Sequence, residues 1–363
     1  MPRIQPSTAA PTAAKLRAKP IAIGSGKPAS ITAVAAHAGV SVATVSRSLN
    51  GQQGVRPATK ARVDAAVTAL GYSLNQMARN LRTSESRLLL TLVPDVGNPF
   101  YAEVVRGIDS VAREHGYHVL LCDTGADAGR ERTYFDLLSA RRADGAICLD
   151  PDTVQHGLAN MAANLCWVAC CEFDADMPVP YVGIDNHQAA MDAVNHLIER
   201  GHRRIALINS DMRFLYARQR HAGYVDALKR AGLPLRREHV REVKSLDFAA
   251  GAAGAQRLLA LKHPLTAIFA VSDTLAIGAL RAIRAAGLKA GQDVAVVGFD
   301  DIALAAEVDP PLTTVAQPMR ELGATAARLL LKRLADPSAQ VDGTLLPHRL
   351  VIRESSGVRR ERP

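Results

Sequence analysis

A multidomain chain is predicted, with a small all-α head at the N-terminus and a larger α/β body built from two similar halves. Three observations carry this reading. Charge is segregated along the chain, hydrophobic periodicity switches near residue 88, and one sequence rhythm recurs inside the body. At 363 residues the chain exceeds one ordinary domain, and its 48% hydrophobic content is enough for at least one large core. Residues 1–87 hold twelve Lys/Arg against two acids, Asp64 and Glu85, whereas the remainder holds 32 against 33. A basic head on a neutral body favours a polyanionic partner, nucleic acid before a membrane. No run approaches the roughly eighteen apolar residues that span a bilayer. No signal-peptide core is visible, and five cysteines do not form a disulfide framework, so a reducing cytoplasm is expected. No His/Cys pair has zinc-ligand spacing, and neither a metal nor a cofactor is expected.

Residues 1–29 carry five prolines, five Lys/Arg and no acid, a composition that cannot bury a core and predicts a disordered basic tail. Gly24-Ser25-Gly26-Lys27 lacks the glycine spacing and following Ser/Thr of a phosphate loop. From residue 30 to 73 only helices are expected. Ser30 is placed to cap Ile31–Ala38, and Gly39 ends it. Ser41 is placed to cap Val42–Leu49, with Val45 and Leu49 inward, and Pro57 opens a third helix on which Val63, Val67 and Leu70 recur. Two short helices joined by a three-residue turn, with a third behind, have helix-turn-helix spacing. Arg56 is a poor cap for the third helix.

From Leu88 onward, short apolar runs alternate with amphipathic stretches. Leu88–Val93, His118–Cys122, Ala146–Leu149, Ile205–Asn209, Ala267–Val271 and Val294–Phe299 are the expected strands, in parallel sheets covered on both faces. The rhythm of Gly107–Tyr117 returns in Gly223–Leu233, each after an apolar strand. Two such halves would leave a ligand cleft at their strand ends. Enzyme motifs (G-x-S-x-G, H-E-x-x-H, a complete Walker loop) are missing from the sequence, so no catalytic residues are expected. Trp167 and the nearby cysteines 166, 170 and 171 read as core.

Ile31–Asn50 and Gly71–Leu81, together with Val93–Tyr101, Gly298–Asp301 and Pro310–Pro318, resemble the lactose/galactose-repressor family of bacterial transcription regulators. The resemblance runs from about residue 30 to about 355. It implies a periplasmic-binding-protein-like, two-lobed effector domain at 87–355, with one lobe at about 87–186 and 317–343 and the other at about 187–316 and 344–355. Residues 74–86 would be a hinge and linker and 356–363 a tail, too short for a tetramerising coiled coil. Glu85-Ser-Arg, Pro94–Leu121 and Ile184–Asn195 are most similar to a nucleoside-responsive branch of the family.

On the head, Val42, Ala43, Ser46 and Arg47 fall on the outward side of the second helix. Arg47 suits a bidentate guanine contact, and Val42 and Ala43 offer only apolar contact, for example to a thymine methyl. Ser41, Thr44, Ser46 and Asn50 suit phosphates, although capping is the simpler role for Ser41. The resemblance makes Asn75, Ala78, Leu81 and Arg82 DNA-facing members of a hinge helix, with Leu81 wedged into the minor groove.

In the cleft, the resemblance assigns Phe100 and Tyr101 to ring stacking, Arg218 to effector hydroxyls and Asp300 to accepting effector hydrogen bonds. Arg220 is expected to brace a loop. Asp247, Ser272, Asp273 and Gln317 are further candidates, with helix capping the competing role for Asp247 and Asp273. Phe214 stands near where purine-binding relatives have a basic residue, which argues against a free purine.

The function expected is a homodimeric, operator-binding repressor of double-stranded DNA, controlled by a nucleoside or sugar. The alternative is a transport solute-binding protein with the same body, disfavoured by the basic helical head.

Overall fold

The computed structural model describes residues 29–49, 54–72, 85–151, 165–173, 179–339 and 342–357. The chain divides into two compact units, Met1–Arg82 and Thr83–Pro363.

In the first unit, α1 (Ile31–Ala38), α2 (Val42–Leu49) and α3 (Pro57–Leu70) enclose a small core of Val34, Ala35, Ala38, Val45, Val63 and Ala66. Ser30 Oγ accepts the Ala33 N–H at 3.2 Å, and Ser41 Oγ accepts that of Thr44 at 3.2 Å. Both hydroxyls thus cap the starts of their helices. Gly39 and Gly71 close α1 and α3 in the left-handed region, with φ of 62° and 57°. Arg56 makes no side-chain capping bond, and α3 starts there on Pro57 alone. Arg62 of α3 ties the unit together by donating to the carbonyls of Ala38 (3.1 Å) and Gly39 (3.0 Å) at the end of α1.

The second unit holds two six-stranded sheets. Its elements are β1 (Leu88–Val93), α4 (Pro99–Glu114), β2 (His118–Asp123), α5 (Ala128–Ser139), β3 (Gly145–Cys148), β4 (Trp167–Cys170), β5 (Tyr181–Ile184), α6 (Asn186–Glu199), β6 (Ile205–Asn209), α7 (Leu215–Arg230), β7 (Val240–Glu242), α8 (Phe248–Leu259), β8 (Ala267–Ala270), α9 (Asp273–Ala285), β9 (Ala295–Asp300), α10 (Leu304–Glu307), β10 (Thr313–Ala316), α11 (Met319–Ala335), β11 (Thr344–Leu346) and β12 (Arg349–Val351). The first sheet runs β11-β5-β4-β3-β1-β2 and the second β12-β10-β9-β8-β6-β7. All neighbours are parallel except β10 and β12. The central strands are buried along their whole length, which is why they read as unbroken apolar runs.

The chain passes between the lobes three times, after β5, after β10 and after β11. Thr344–Leu346 pairs with β5 in the first lobe, Thr344 opposite Val182 and Leu346 opposite Ile184. The return to the second lobe therefore comes at β12, a few residues beyond the boundary expected at about 343. The two glycines that open the repeated rhythm serve the same purpose in each lobe. A Cβ on Gly107 would lie 2.0 Å from the Arg320 carbonyl oxygen of α11, and one on Gly223 would lie 2.3 Å from that of His187 in α6. Each repeat therefore places its helix backbone directly against a covering helix.

Candidate functional site

On the head, α2 turns Val45 inward and leaves Val42, Ala43 and Arg47 exposed, with Thr44 and Ser46 half-buried. Val42 is 42% exposed and, with Ala43, forms an apolar pair beside Arg47. Ser41 Oγ and Thr44 Oγ1 are 2.9 Å apart and engage one another at the helix start. Asn50, Asn75, Ala78, Leu81 and Arg82 lie outside the described residues.

In the body, the cleft forms where the C-terminal ends of both sheets converge. The first lobe contributes Asn98, Phe100 and Tyr101 at the start of α4, Leu149 and Asp150 after β3, and Cys171 and Glu172 after β4. From the second come Tyr216 and Arg220 of α7, Leu246, Ser272, Asp300 and, at the crossing into α11, Gln317. The enclosed space is about 40 Å³, room for a few waters. A drug-sized ligand occupies roughly 300 Å³ or more, so the lobes must part or side chains move to admit one.

Arg220 lies at the centre. Its Nε donates to Asn186 Oδ1 (2.9 Å) and its Nη1 to the Val271 carbonyl (2.5 Å). The guanidinium carbon stands 3.5 Å from the Phe299 ring centroid and 5.0 Å from that of Tyr216. Asp300 Oδ1 is 4.0 Å from Arg220 and accepts Gln317 Nε2 at 2.7 Å. Burial pushes the Asp300 carboxyl up to about 7, against the opposing pull of Arg220 and Gln317. Burial likewise lowers the pKa of Arg220. Asp300 and Asp301 both have positive φ, 122° and 60°. This sharp turn sends the first carboxylate into the cleft and the second to Arg353, 2.7 Å away.

Glu172 carries a second buried carboxylate whose pKa burial raises to about 7, opposed by hydrogen bonds from the Tyr216 and Leu215 backbone. The phenol of Tyr101 is also raised, chiefly by burial and then by Asp150. Phe100 and Tyr101 meet edge to face at 5.2 Å.

Among the expected effector residues, Phe100, Tyr101, Ser272, Asp300 and Gln317 come together here. Arg218 does not. It is exposed and donates to the carbonyls of Met212 (3.1 Å) and Arg213, so it braces the loop, while Arg220 enters the cleft. The two arginines thus stand in each other's expected places. The pattern that would have found Arg220 is the row Ala217, Arg220, Tyr224, Ala227, the buried stripe of α7.

Asp247 is exposed and caps α8 by accepting the Ala250 N–H at 2.7 Å. Asp273 is fully buried beneath the cleft, where Oδ1 accepts Thr314 Oγ1 (2.6 Å) and Oδ2 the Ile302 N–H (2.9 Å). It joins α9 to β10 and does not line the cleft, and it is Ser272 that caps α9. Phe214 stacks on Tyr216 at 5.5 Å, outside the lining. Sequence reasoning missed Asn98, although it lies within the Val93–Tyr101 motif, and also Leu149, Asp150, Cys171, Glu172, Tyr216 and Leu246, which belong to no motif and acquire their position only from the fold. Among the described residues no His/Cys/Asp/Glu group could hold a metal ion, and no helix is long and apolar enough to cross a membrane.

A three-helix head with helix-turn-helix spacing, joined to a two-lobed body with a polar cleft, defines the class of ligand-responsive regulators. Residues 30–75 match the family model of bacterial regulatory proteins, lacI family, and residues 86–354 that of periplasmic binding proteins and sugar binding domain of LacI family. The chain belongs to the LacI family of transcription regulators. It is 39% identical over 324 residues to the HTH-type transcriptional repressor CytR of Escherichia coli (strain K12), covering 89% of this chain and 95% of that protein. The Lac repressor dimer bound to operator and the anti-inducer ONPF is similar in structure, with a TM-score of 0.83 and 29% identity over 91% of this chain and 100% of that one. The transcriptional regulator CelR in complex with cellobiose gives a TM-score of 0.69 and 31% identity, covering 90% and 99%. The regulatory head sets aside the transport alternative.

Proposed function

We propose that the protein is a homodimeric repressor whose two heads read a palindromic operator and whose cleft binds a neutral nucleoside or sugar. The observation that carries this is the convergence on one enclosed space of Tyr101 from one lobe with Arg220 and Asp300 from the other. Aromatic faces beside hydrogen-bonding polar groups suit a hydroxylated ring. The Lac repressor and CelR complexes support operator and sugar binding for proteins of this build, and the resemblance of Glu85-Ser-Arg, Pro94–Leu121 and Ile184–Asn195 to a nucleoside-responsive branch favours a nucleoside. Arg47, Val42 and Ala43 would read base edges, while Ser41, Thr44, Ser46 and Asn50 hold phosphates. Asn75, Ala78, Leu81 and Arg82 would form the hinge contacts, Leu81 as the minor-groove wedge.

Effector binding changes the relative orientation of the lobes, and this change is relayed to the DNA-binding segments. Linkage makes the coupling reciprocal, so the operator complex binds an inducing effector more weakly. The test is selection of genomic DNA fragments by the purified protein at fixed salt, with and without a panel of nucleosides and sugars. Recovery of a short palindrome whose occupancy changes with one panel member is expected. Sequence-independent, salt-sensitive binding under every condition would overturn the reading.

A further inference from the structure

Glu172 follows β4 of the first lobe, yet its partners belong to the second. Its carboxylate accepts the backbone N–H of Leu215 and, at 3.1 Å, that of Tyr216. These residues open α7, whose N-cap, Phe214, offers no side-chain acceptor. A helix start carries unpaired N–H groups and positive partial charge, and usually finds a local acceptor. Helices α5, α6, α8 and α9 do so with Asp127, Asp185, Asp247 and Ser272. For α7 the acceptor comes from across the cleft, on a side chain nine-tenths buried.

We propose that Glu172 is an internal anion that occupies the positive end of the cleft and so selects uncharged ligands over phosphorylated or carboxylated ones. This rests on the reading of the cleft as an effector pocket. Its lining holds three carboxyl groups, those of Asp150, Glu172 and Asp300, against one guanidinium, Arg220, which is already engaged by Asn186 and the Val271 carbonyl. Arg218 is held on the loop carbonyls. An entering phosphate must therefore evict Glu172 from α7 and strand its carboxylate in a nearly closed space. Ligand hydroxyls meet acceptors that suit their donors. A nucleoside is accepted in preference to its nucleotide, and a sugar in preference to its phosphate ester.

The test removes the internal anion and supplies an external one. Sulfate is titrated at constant ionic strength and about pH 8, where the Glu172 carboxyl is ionised, into the full-length wild type, E172A and E172Q, with thermal unfolding as the readout. E172A is expected to bind sulfate saturably, about tenfold or more tighter than wild type, because the vacated helix start beside Arg220 takes the ion. E172Q keeps an acceptor without the charge and is expected to fall between the two. Equal sulfate responses in wild type and E172A overturn the proposal. If E172A does not fold, E172Q alone decides, and a response unchanged from wild type overturns it.

A second arm compares cytidine with its 5′-monophosphate by calorimetry. Preference for cytidine in wild type should shrink about tenfold in E172Q. An undiminished preference in that variant overturns the role given to Glu172. If wild type binds neither compound, the nucleoside reading falls while the sulfate arm still decides the role of Glu172.

Discussion

Arg47 stands on the exposed side of α2 between an apolar pair, Val42 and Ala43, and a helix interior fixed by Val45. A bidentate arginine–guanine contact discriminates by about 1–3 kcal/mol. Arg47→Ala should therefore weaken operator binding by roughly ten- to a hundredfold while binding to scrambled DNA changes little. Fluorescence anisotropy on the two DNAs at one salt concentration checks this.

Asp300→Asn keeps the shape of the side chain and removes the charge opposite Arg220. The variant should still bind operator but release it poorly on adding effector, measured on the same labelled DNA. It has a second signature in pH. The folded carboxyl, held up to about 7 by burial, keeps a proton that the unfolded chain has already released. Its contribution to stability is complete below the ordinary carboxylate range and is lost as pH rises through about 7. Thermal unfolding of the variant should then fall less than that of wild type between about pH 5 and pH 8. Buried His196 and His239 and half-buried His221 are pushed down and act in the opposite sense, but they are common to both proteins.

At this scale the sequence was only partly legible. Asp300 was readable because it ends an apolar run, whereas Arg218 and Arg220 differ by two positions on one helix, and only the buried stripe of α7 separates them.

Among the elements, α4 and α11 lie backbone against backbone. A Cβ on Gly323 would stand 2.0 Å from the Val104 carbonyl oxygen. Gly323→Ala must push the two helices apart, and a loss of about 1–3 kcal/mol, the range for overpacking, is expected in denaturant unfolding of the whole chain. Wild-type stability would show that the helices part freely. Caps, turns and the six strands that form apolar runs were legible, because Ser30, Gly39 and those runs act locally, whereas β4, β5, β7, β10, β11 and β12, each of three or four residues, were not expected. β11 is the extreme case: three residues at a lobe crossing carry too little pattern to say which sheet they join.

In the molecule as a whole, the charge division seen in the sequence follows the division into two units, with the excess of positive charge in the unit that carries the helix-turn-helix. The body also leaves Leu120 and Leu121, 47% and 49% exposed, on β2 at the free edge of the first sheet. Exposed leucines on a strand edge suit a partner copy. Leu121→Asp should shift the protein from dimer to monomer in sedimentation at micromolar concentration and weaken operator binding with it. A dimer that persists would move the interface elsewhere.

The threefold crossing between lobes also dictates the order in which the protein takes shape during synthesis. The first sheet contains β1–β5 by residue 184, but α11 and β11, which cover and extend it, end only at residues 335 and 346. At roughly 5–20 residues per second, the ribosome needs on the order of ten to thirty seconds to supply them. For that interval the earlier-made lobe waits with an uncovered helix face and an open strand edge, and the later-made lobe grows beside it. In a nascent chain those surfaces stay open to solvent until residues 319–346 emerge.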